Sequence, residues 1–170
     1  MPYVLKPLTP PEYPAVLEVY RQCEDFLALG PVAKATMAMV LQDIREADVE
    51  GGLYRGIFSD QELIGVVSYV PSHFEFKTVD AFILLLMLAP EHRGKGVGST
   101  IVDMVEKEIC AHARIRSIRC GVQVNNPRAI RFWEGKGYRI FSGPTLQPDK
   151  TTVYHLRKQI TPAPMAQPKR

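Results

Sequence analysis

The residues best suited to chemistry lie in one short glycine-rich loop, made of Arg93, Gly94, Lys95, Gly96, Val97, Gly98 and Ser99. Glycine has no Cβ atom, so a ligand can approach this backbone closely. The first amide groups of a helix have no intrahelical partners and suit a phosphate, and an amphipathic segment follows this loop. Arg93 and Lys95 add two full positive charges. The pattern predicts a phosphate site, and its alternative is a turn that only joins a strand to a helix.

Two common nucleotide-binding patterns do not describe this loop. The Walker pattern places its lysine after the last glycine, whereas Lys95 precedes both Gly96 and Gly98. The dinucleotide pattern Gly-x-Gly-x-x-Gly also differs from the spacing found here, which is Gly-x-Gly-x-Gly. Neither of these two nucleotide-binding interpretations therefore applies, and an unrelated phosphate-binding α/β domain stays open as a further interpretation.

The elements that position the loop follow from hydrophobic periodicity and from glycine and proline punctuation. Helical spacing predicts helices over 12–30, 33–48, 99–112 and 127–134. Apolar or alternating segments predict strands over 3–8, 53–58, 63–70, 81–89, 118–124, 138–141 and 152–156. The run 81–89 is apolar at every position, which is typical of a strand covered on both faces, with a buried helix as the alternative. The order predicts an α/β fold with a mixed sheet and helices on both faces.

The central crossover of this order carries the loop. A strand over 81–89, a helix over 99–112 and a strand over 118–124 form one β-α-β unit. Such units are right-handed and place their two strands parallel in one sheet. We therefore expect the glycine-rich loop at the carboxyl end of the first of these strands.

Two motifs together resemble the GNAT acetyltransferase superfamily. The loop matches the family's Arg-x-x-Gly-x-Gly pattern, and 86–92 resembles the strand that leads into it. Downstream, the segment 126–138 resembles the family's second hallmark, an Asn-x-x-Ala helix that ends in an aromatic pair and Gly-aromatic. The element order agrees over roughly 3–157. The resemblance implies a mostly antiparallel sheet of about seven strands, with a V-shaped gap between the strands over 81–89 and 118–124.

The same resemblance implies an N-acetyltransferase that moves an acetyl group from acetyl-CoA to a primary amine by direct attack in a ternary complex. The pyrophosphate of acetyl-CoA would bind the amides of 94–99. Its pantetheine arm would run along the backbone of Leu86, Met87 and Leu88, where one N–H polarises the thioester carbonyl. Asn126, Ala129 and Phe132 match positions that line the other side of the arm. A non-catalytic acyl-CoA-binding or regulatory module is the alternative.

The acid and base of such a reaction are harder to place. The family often uses a tyrosine as the acid, where this chain has Trp133, and the indole only donates a hydrogen bond, so we expect Trp133 to pack in the core. The usual base positions, around Phe82 and Leu84, are apolar. Strand alternation puts Asp80 on their face, which makes Asp80 the candidate base. Glu75 and His73 in the preceding connection are weaker candidates.

Composition sets the remaining expectations. The chain has 170 residues, which predicts a single domain over 1–160 followed by a disordered tail over 161–170. A net charge of +3 with no basic stripe argues against nucleic acid. The longest apolar run is far shorter than the roughly 20 residues of a membrane helix, which argues against a membrane span.

Three widely spaced cysteines argue against a disulfide framework and against a cysteine-rich zinc site. We therefore expect a cytoplasmic protein without a metal, whose partners are acetyl-CoA and an amine acceptor that the sequence does not identify. Exposed strands near the C-terminus are compatible with a homodimer.

Overall fold

A computed structural model describes residues 2–74, 80–112 and 114–161. Seven strands form one sheet: β1 (Tyr3–Pro7), β2 (Leu53–Ser59), β3 (Glu62–Val70), β4 (Asp80–Leu88), β5 (Ser117–Gln123), β6 (Arg139–Leu146) and β7 (Thr152–Gln159). The α-helices are α1 (Tyr13–Gln22), α2 (Glu24–Leu27), α3 (Met37–Val49), α4 (Val97–Cys110) and α5 (Pro127–Gly135). Within these ranges, no helix is long and apolar enough to cross a membrane.

The sheet has the order β1-β2-β3-β4-β5-β7-β6, and its strands are antiparallel except for the parallel pair β4–β5. This confirms the predicted mixed sheet and the predicted crossover. The apolar run is a strand and not a buried helix. Apart from Thr161, the predicted tail lies outside the described residues, as does the candidate Glu75.

Several predicted boundaries differ from those observed, for local reasons. The second predicted helix begins at Met37 and not at residue 33, because the Thr36 hydroxyl accepts a hydrogen bond from the Met39 amide and caps the helix there. The first predicted helix is two helices that meet at Cys23. The last two strands continue well past their predicted ends.

Hydrophobic cores lie on both faces of the sheet. The main core packs α4 and α5 against one face and includes Ile101, Val105 and Ile109 of α4. The smaller core packs α1 and α3 against the other face, around Val16 and Val40. The helices therefore cover both faces, as the sequence predicted.

A β-bulge interrupts β4. Ser68 of β3 pairs with Leu85, while its neighbour Tyr69 pairs with Ile83, so Leu84 is the extra residue. Before the bulge, Ile83 faces the main core, whereas beyond it Leu86 has taken over this face. The alternation used to group Asp80 with Phe82 therefore ends at Leu84.

The parallel pair β4–β5 is short. Pairing runs from Asp80 with Ser117 to Ile83 with Cys120, and beyond these residues the two strands part. β5 itself continues, paired to β7 as far as Gln123. We call the point after this last pair the fork. It opens toward the carboxyl ends of both strands. It is the V-shaped gap that the sequence led us to expect.

A partly buried polar cluster joins the smaller core to the sheet. The Tyr20 hydroxyl of α1 donates a hydrogen bond of 2.6 Å to the Asp43 carboxylate of α3 and lies 2.8 Å from the Tyr54 hydroxyl of β2. Burial raises the pKa of Asp43 to about 6, although the hydrogen bond from Tyr20 opposes this shift. Asp43 therefore stabilises the fold most in its protonated form.

The Asp43→Asn variant should become more stable relative to the wild type as the pH rises. The pKa of Asp43 is higher in the folded chain than in the unfolded one, so its stabilising contribution is complete below about pH 4 and is lost as the pH rises through about 6. Between pH 4 and pH 7 the difference in unfolding free energy should shift by roughly 2 to 3 kcal/mol in favour of the variant.

Urea denaturation at several pH values measures this shift. Asp48→Asn, at an exposed position on the same helix, is the matched control. A difference between Asp43→Asn and wild type that stays constant with pH would contradict the assignment.

Candidate functional site

The glycine-rich loop has the geometry of an anion site. Gly94 and Gly96 have φ angles of +69° and +81°, in the left-handed region that favours glycine. Gly96 is the N-cap of α4, so the free amides of the first turn begin at Val97. A Cβ atom at Gly98 would lie 3.4 Å from the Phe132 ring of α5, which brings the loop against that helix. The α4 terminus thus lies beside α5.

The Arg93 side chain is directed into the protein. Its Nε donates a hydrogen bond of 2.8 Å to the Leu88 carbonyl, and its two terminal nitrogens lie 2.6 Å and 3.2 Å from the Asp25 carboxylate of α2. This hydrogen-bonded pairing lowers the pKa of Asp25. The Cys23 thiol also donates to the Leu88 carbonyl. Arg93 therefore fastens the end of β4 to α2, and the charge that the sequence offered to a phosphate is used internally.

Two other side chains of the loop have different surroundings. Lys95 is exposed, and among the residues that the structure describes it forms no side-chain hydrogen bond or ion pair. The Ser99 hydroxyl, in contrast, accepts a hydrogen bond of 3.0 Å from Lys136, which also pairs with Asp103. Lys95 is thus available to an anion, whereas Ser99 helps to hold the connection after α5.

Arg128 is a cation at this loop that the sequence analysis did not single out. It lies in the first turn of α5, and one of its terminal nitrogens is 3.9 Å from the position that a Cβ atom on Gly94 would occupy. Arg128 is exposed, and its side chain has no ion pair in the described part of the chain. The sequence signal was present, because Arg128 follows the predicted helix start at Asn126 by two residues.

The two sides of the fork carry the other predicted residues. Met87 and Leu88 are buried at the end of β4, while Leu86 is half-buried. On α5, the Asn126 side chain caps the helix by accepting a hydrogen bond of 3.1 Å from the Ala129 amide. Ala129 and Phe132 pack against the main core from that helix. The structure therefore brings the predicted segments to one opening, with the glycine-rich loop at its mouth.

A cavity of about 390 Å³ lies at the carboxyl end of β5. Its walls come from the connection after α2, from the end of β5 and from the β6–β7 connection: Leu29, Gly30, Pro31, Gln123, Val124, Asn125, Asp149, Lys150, Thr151 and Thr152. Asn125 donates a hydrogen bond to the Leu29 carbonyl and holds two of these walls together.

Two polar groups of this cavity are acceptors of hydrogen bonds. The Gln123 Oε1 atom is buried and has no hydrogen-bond partner within the described ranges. One oxygen of Asp149 accepts from both the hydroxyl and the amide of Thr151, and these bonds lower the pKa of Asp149. The cavity therefore presents an ionised carboxylate, which suits a ligand with N–H groups, while the unsatisfied Gln123 oxygen is buried in its wall.

The candidate base Asp80 lies at the closed end of the fork. Its carboxylate is 3.7 Å from the Arg119 guanidinium, and the side chains of both residues are only 14% exposed. Arg119 also lies over the Phe74 ring at 4.9 Å. Asp80 is three residues before the last paired residue of β4, a distance of about 10 Å along the strand. His73, in the connection before β4, has its ring 3.0 Å from the Ser72 hydroxyl.

Three further side chains are structural. Trp133 is 7% exposed and packs edge-on against Phe132 and Tyr138, which confirms its predicted packing role. Tyr138 is buried and donates to Glu106, and burial raises its pKa. Burial also raises the pKa of the Cys120 thiol, in agreement with a small core residue. The described ranges contain no group of three or more His, Cys, Asp and Glu residues placed to hold a metal.

Comparisons with known proteins agree with this architecture. The family model described as "Acetyltransferase (GNAT) family" matches residues 14–138. An acetyltransferase from Thermus thermophilus is 20% identical with a TM-score of 0.77, covering 94% of this chain and 98% of that chain.

Two further solved structures carry more specific names. Spermidine N-acetyltransferase from Vibrio cholerae, in complex with CoA and spermine, is 15% identical, with a TM-score of 0.69 and coverage of 93% and 95%. Ribosomal-protein-alanine N-acetyltransferase from Brucella melitensis is 17% identical, with a TM-score of 0.67 and coverage of 92% and 99%. At these identities the likeness shows the fold. The search of curated proteins gave no match.

The left-handed conformation of Gly96 can be tested by measuring the free energy of unfolding. Gly96→Ala should destabilise the fold by about 1 kcal/mol, because a Cβ atom there meets no neighbour within 4 Å but the left-handed φ angle is strained for alanine. Gly135→Ala is the matched control, since that helical glycine is equally open and its φ angle lies outside the left-handed region, so the substitution should be neutral or stabilising. Urea denaturation compares the two, and equal effects would contradict the left-handed assignment.

Proposed function

The chain belongs to the GNAT family of acetyltransferases and is an acetyl-CoA-dependent acyltransferase, and we propose that it transfers the acetyl group to a primary amine by direct attack in a ternary complex. The observation that carries this proposal is the fork between β4 and β5, with a glycine-rich helix start at its mouth. One opening thus joins a phosphate site to unpaired strand backbone, and the cavity at the end of β5 lies next to it.

In this proposal the phosphates of acetyl-CoA bind at the start of α4. The amides of 94–99 supply the hydrogen bonds, and Lys95 and Arg128 supply the positive charge, because Arg93 is paired with Asp25. Arg93 and Ser99 then contribute through their backbone and through the position that their side chains give to the loop.

The pantetheine arm then lies in the fork. Beyond Ile83, β4 has no strand partner on the side of β5, so those backbone groups of Leu86, Met87 and Leu88 that do not pair with β3 are open to an extended amide chain, apart from the Leu88 carbonyl, which Arg93 and Cys23 already occupy. Asn126, Ala129 and Phe132 form the opposite wall. An N–H of β4 polarises the thioester carbonyl and stabilises the charge that develops on its oxygen.

The acceptor amine approaches from the cavity at the end of β5. An amine with a pKa of about 10.4 is neutral in only about one molecule in a thousand at pH 7, so the enzyme must bind the neutral form or remove a proton. The carboxylate of Asp149 suits an amine in this cavity. Asp80 stays a prediction as the base, with Arg119 as its partner.

A second candidate function is binding of acyl-CoA without catalysis. Trp133 fills the position of the expected acid and is buried, and Asp80 is held in an ion pair at the closed end of the fork. Both observations fit a chain that binds acyl-CoA as a signal.

The cytoplasmic location and the homodimer stay predictions. The homodimer is supported by the exposed apolar residues Ile140, Phe141 and Leu146 on the edge strand β6.

The deciding experiment measures binding and thiol release on the same protein. Calorimetric titration with acetyl-CoA, CoA and ATP should show binding of the first two only. Thiol release from acetyl-CoA should then depend on an amine from a panel that includes spermidine, lysine and a peptide with an N-terminal alanine. Binding without amine-dependent release would favour the second candidate, and no binding of either CoA compound would contradict both.

Arg128→Gln should weaken acetyl-CoA binding roughly tenfold, which is the typical loss of one charge-assisted phosphate contact. The rate of thiol release from acetyl-pantetheine, which lacks the phosphates, should not change. Calorimetry and thiol release provide the two measurements, and Arg45→Gln, an exposed arginine on α3, makes the same charge change far from the loop. An equal loss with both donors would show that Arg128 does not act on the phosphates.

A further inference from the structure

Gly121 leaves an open space on β5 that neither packing nor backbone conformation explains. A Cβ atom there would meet no heavy atom within 4 Å, and its φ angle lies outside the left-handed region. Glycine weakens the interior of a strand, because it adds backbone entropy to the unfolded chain and has no side chain to pack. A Cβ atom would therefore fit here in the free protein. A glycine of this kind is typical of a strand that a ligand approaches closely.

The open space faces the side of the sheet from which the acceptor cavity opens. Cys120 and Val122 point into the main core, so Gly121 between them points to the opposite face. Gln123, two residues further on the same face, lines the cavity. Gly121 also directly follows Cys120, the last residue of β5 that pairs with β4. The open space is therefore at the fork itself.

His155 is the titratable side chain next to this space. It is the partner of Gly121 in the antiparallel pair β5–β7, so both residues lie on the same face, with Cβ positions about 5 Å apart. The imidazole is half-buried and its ring centre is 6.4 Å from that of Phe141. It makes no side-chain hydrogen bond in the part of the chain that the structure describes. A ring nitrogen of His155 is thus available to a ligand over Gly121.

Several other charged side chains of the described strands lie on the same face of the sheet as His155. Arg157 follows His155 by two residues on β7, and Arg119 is its partner on β5. Asp80 of β4 pairs with Arg119, and β6 places Arg139 opposite Arg157 and Ser142 opposite His155. Asp149 and Lys150 of the β6–β7 connection line the cavity and carry opposite charges. The face therefore has more positive than negative charge, which disfavours an acceptor in its ammonium form and favours the neutral amine.

We propose that the acceptor amine lies over Gly121 and that His155, in place of Asp80 at the closed end of the fork, is the general base that takes its proton, directly or through one water molecule. This inference rests on the proposed acetyl transfer. The amine nitrogen forms a bond to the thioester carbonyl carbon and the C–S bond breaks. CoA leaves as a thiolate with the electron pair of that bond, the proton of the attacking nitrogen passes to His155 and then to solvent, and solvent protonates the thiolate. The surrounding arginines select acceptors that carry no further positive charge.

The Gly121→Val variant distinguishes between two explanations of this glycine, a ligand site and a structural role. If the space serves the acceptor, the variant stays as stable as the wild type or becomes more stable, binds acetyl-CoA with unchanged affinity, and loses about tenfold or more in kcat/KM for the amine. Gly135→Ala, another glycine with open surroundings, should leave kcat/KM unchanged. Gly121→Ala is the smaller substitution, for use if the valine variant does not fold.

His155→Gln tests the base. Loss of a general base typically lowers kcat by about a hundredfold or more, and the acidic limb of the kcat/KM profile against pH should disappear with it. Acetyl-CoA affinity should not change. His112→Gln, at an exposed position after α4, should keep the rate and the pH profile of the wild type. Thiol release is measured with the amines of the panel and, where none reacts, with water as the acceptor under excess enzyme.

The outcomes distinguish this inference from the proposed function. A wild-type chain that does not bind acetyl-CoA would overturn the proposed function. Binding without any thiol release, to amine or to water, would overturn the proposed transfer and, with it, the assignment of His155. An active wild type whose Gly121→Val and His155→Gln variants keep its kinetics and pH profile would overturn this inference alone. Faster reaction with spermidine than with a monoamine would overturn the selection by charge.

Discussion

The site depends on one constraint, which is the unequal pairing of β4. This strand is hydrogen-bonded to β3 along most of its length but to β5 only as far as Ile83. The bulge at Leu84 lies at the point where the second pairing stops, so the strand changes the face that it presents there. One half of β4 therefore pairs on both sides, while the other half has no strand partner on the side of β5, where we propose that acetyl-CoA binds. The helix start of α4, the first turn of α5 and Gly121 are all placed by the direction in which the two strands part.

The positively charged residues around this opening do not all face it, although their positions in the chain suggest that they do. Arg93 is fixed between the Leu88 carbonyl and Asp25, so it holds the end of β4 against α2. The remaining positive field comes from backbone amides, from Lys95 and from Arg128. On the other side of the sheet, Arg119 and Arg157 lie near the proposed acceptor position, and Asp80 pairs with Arg119. In our proposal the two substrates therefore approach through different fields, one suited to phosphate and one suited to an uncharged nitrogen.

The elements and the phosphate loop were predictable because they depend on local signals. Glycine spacing, hydrophobic periodicity and the Asn126 cap indicated the crossover and both of its helix starts. The partners of charged side chains were not predictable, since Asp25 and Arg93 are 68 residues apart in the chain and meet only in the folded sheet. The bulge at Leu84 has no signal in a uniformly apolar run, and it limits the alternation that had selected Asp80. Gly121 and His155 were not predictable as a pair, because only the register of β5 with β7 places them opposite each other.

The walls of the acceptor cavity have a consequence for the evolution of this chain. Two of its three walls are connections between elements, at 29–31 and at 149–151, whereas the acetyl-CoA side consists of strand backbone and helix termini. Connections accept insertions and substitutions at low cost to the core, but strand registers do not. A lineage can therefore exchange its acceptor by changing a few loop residues while its donor site stays intact. Specificity and catalysis are inherited as separate parts in such an arrangement.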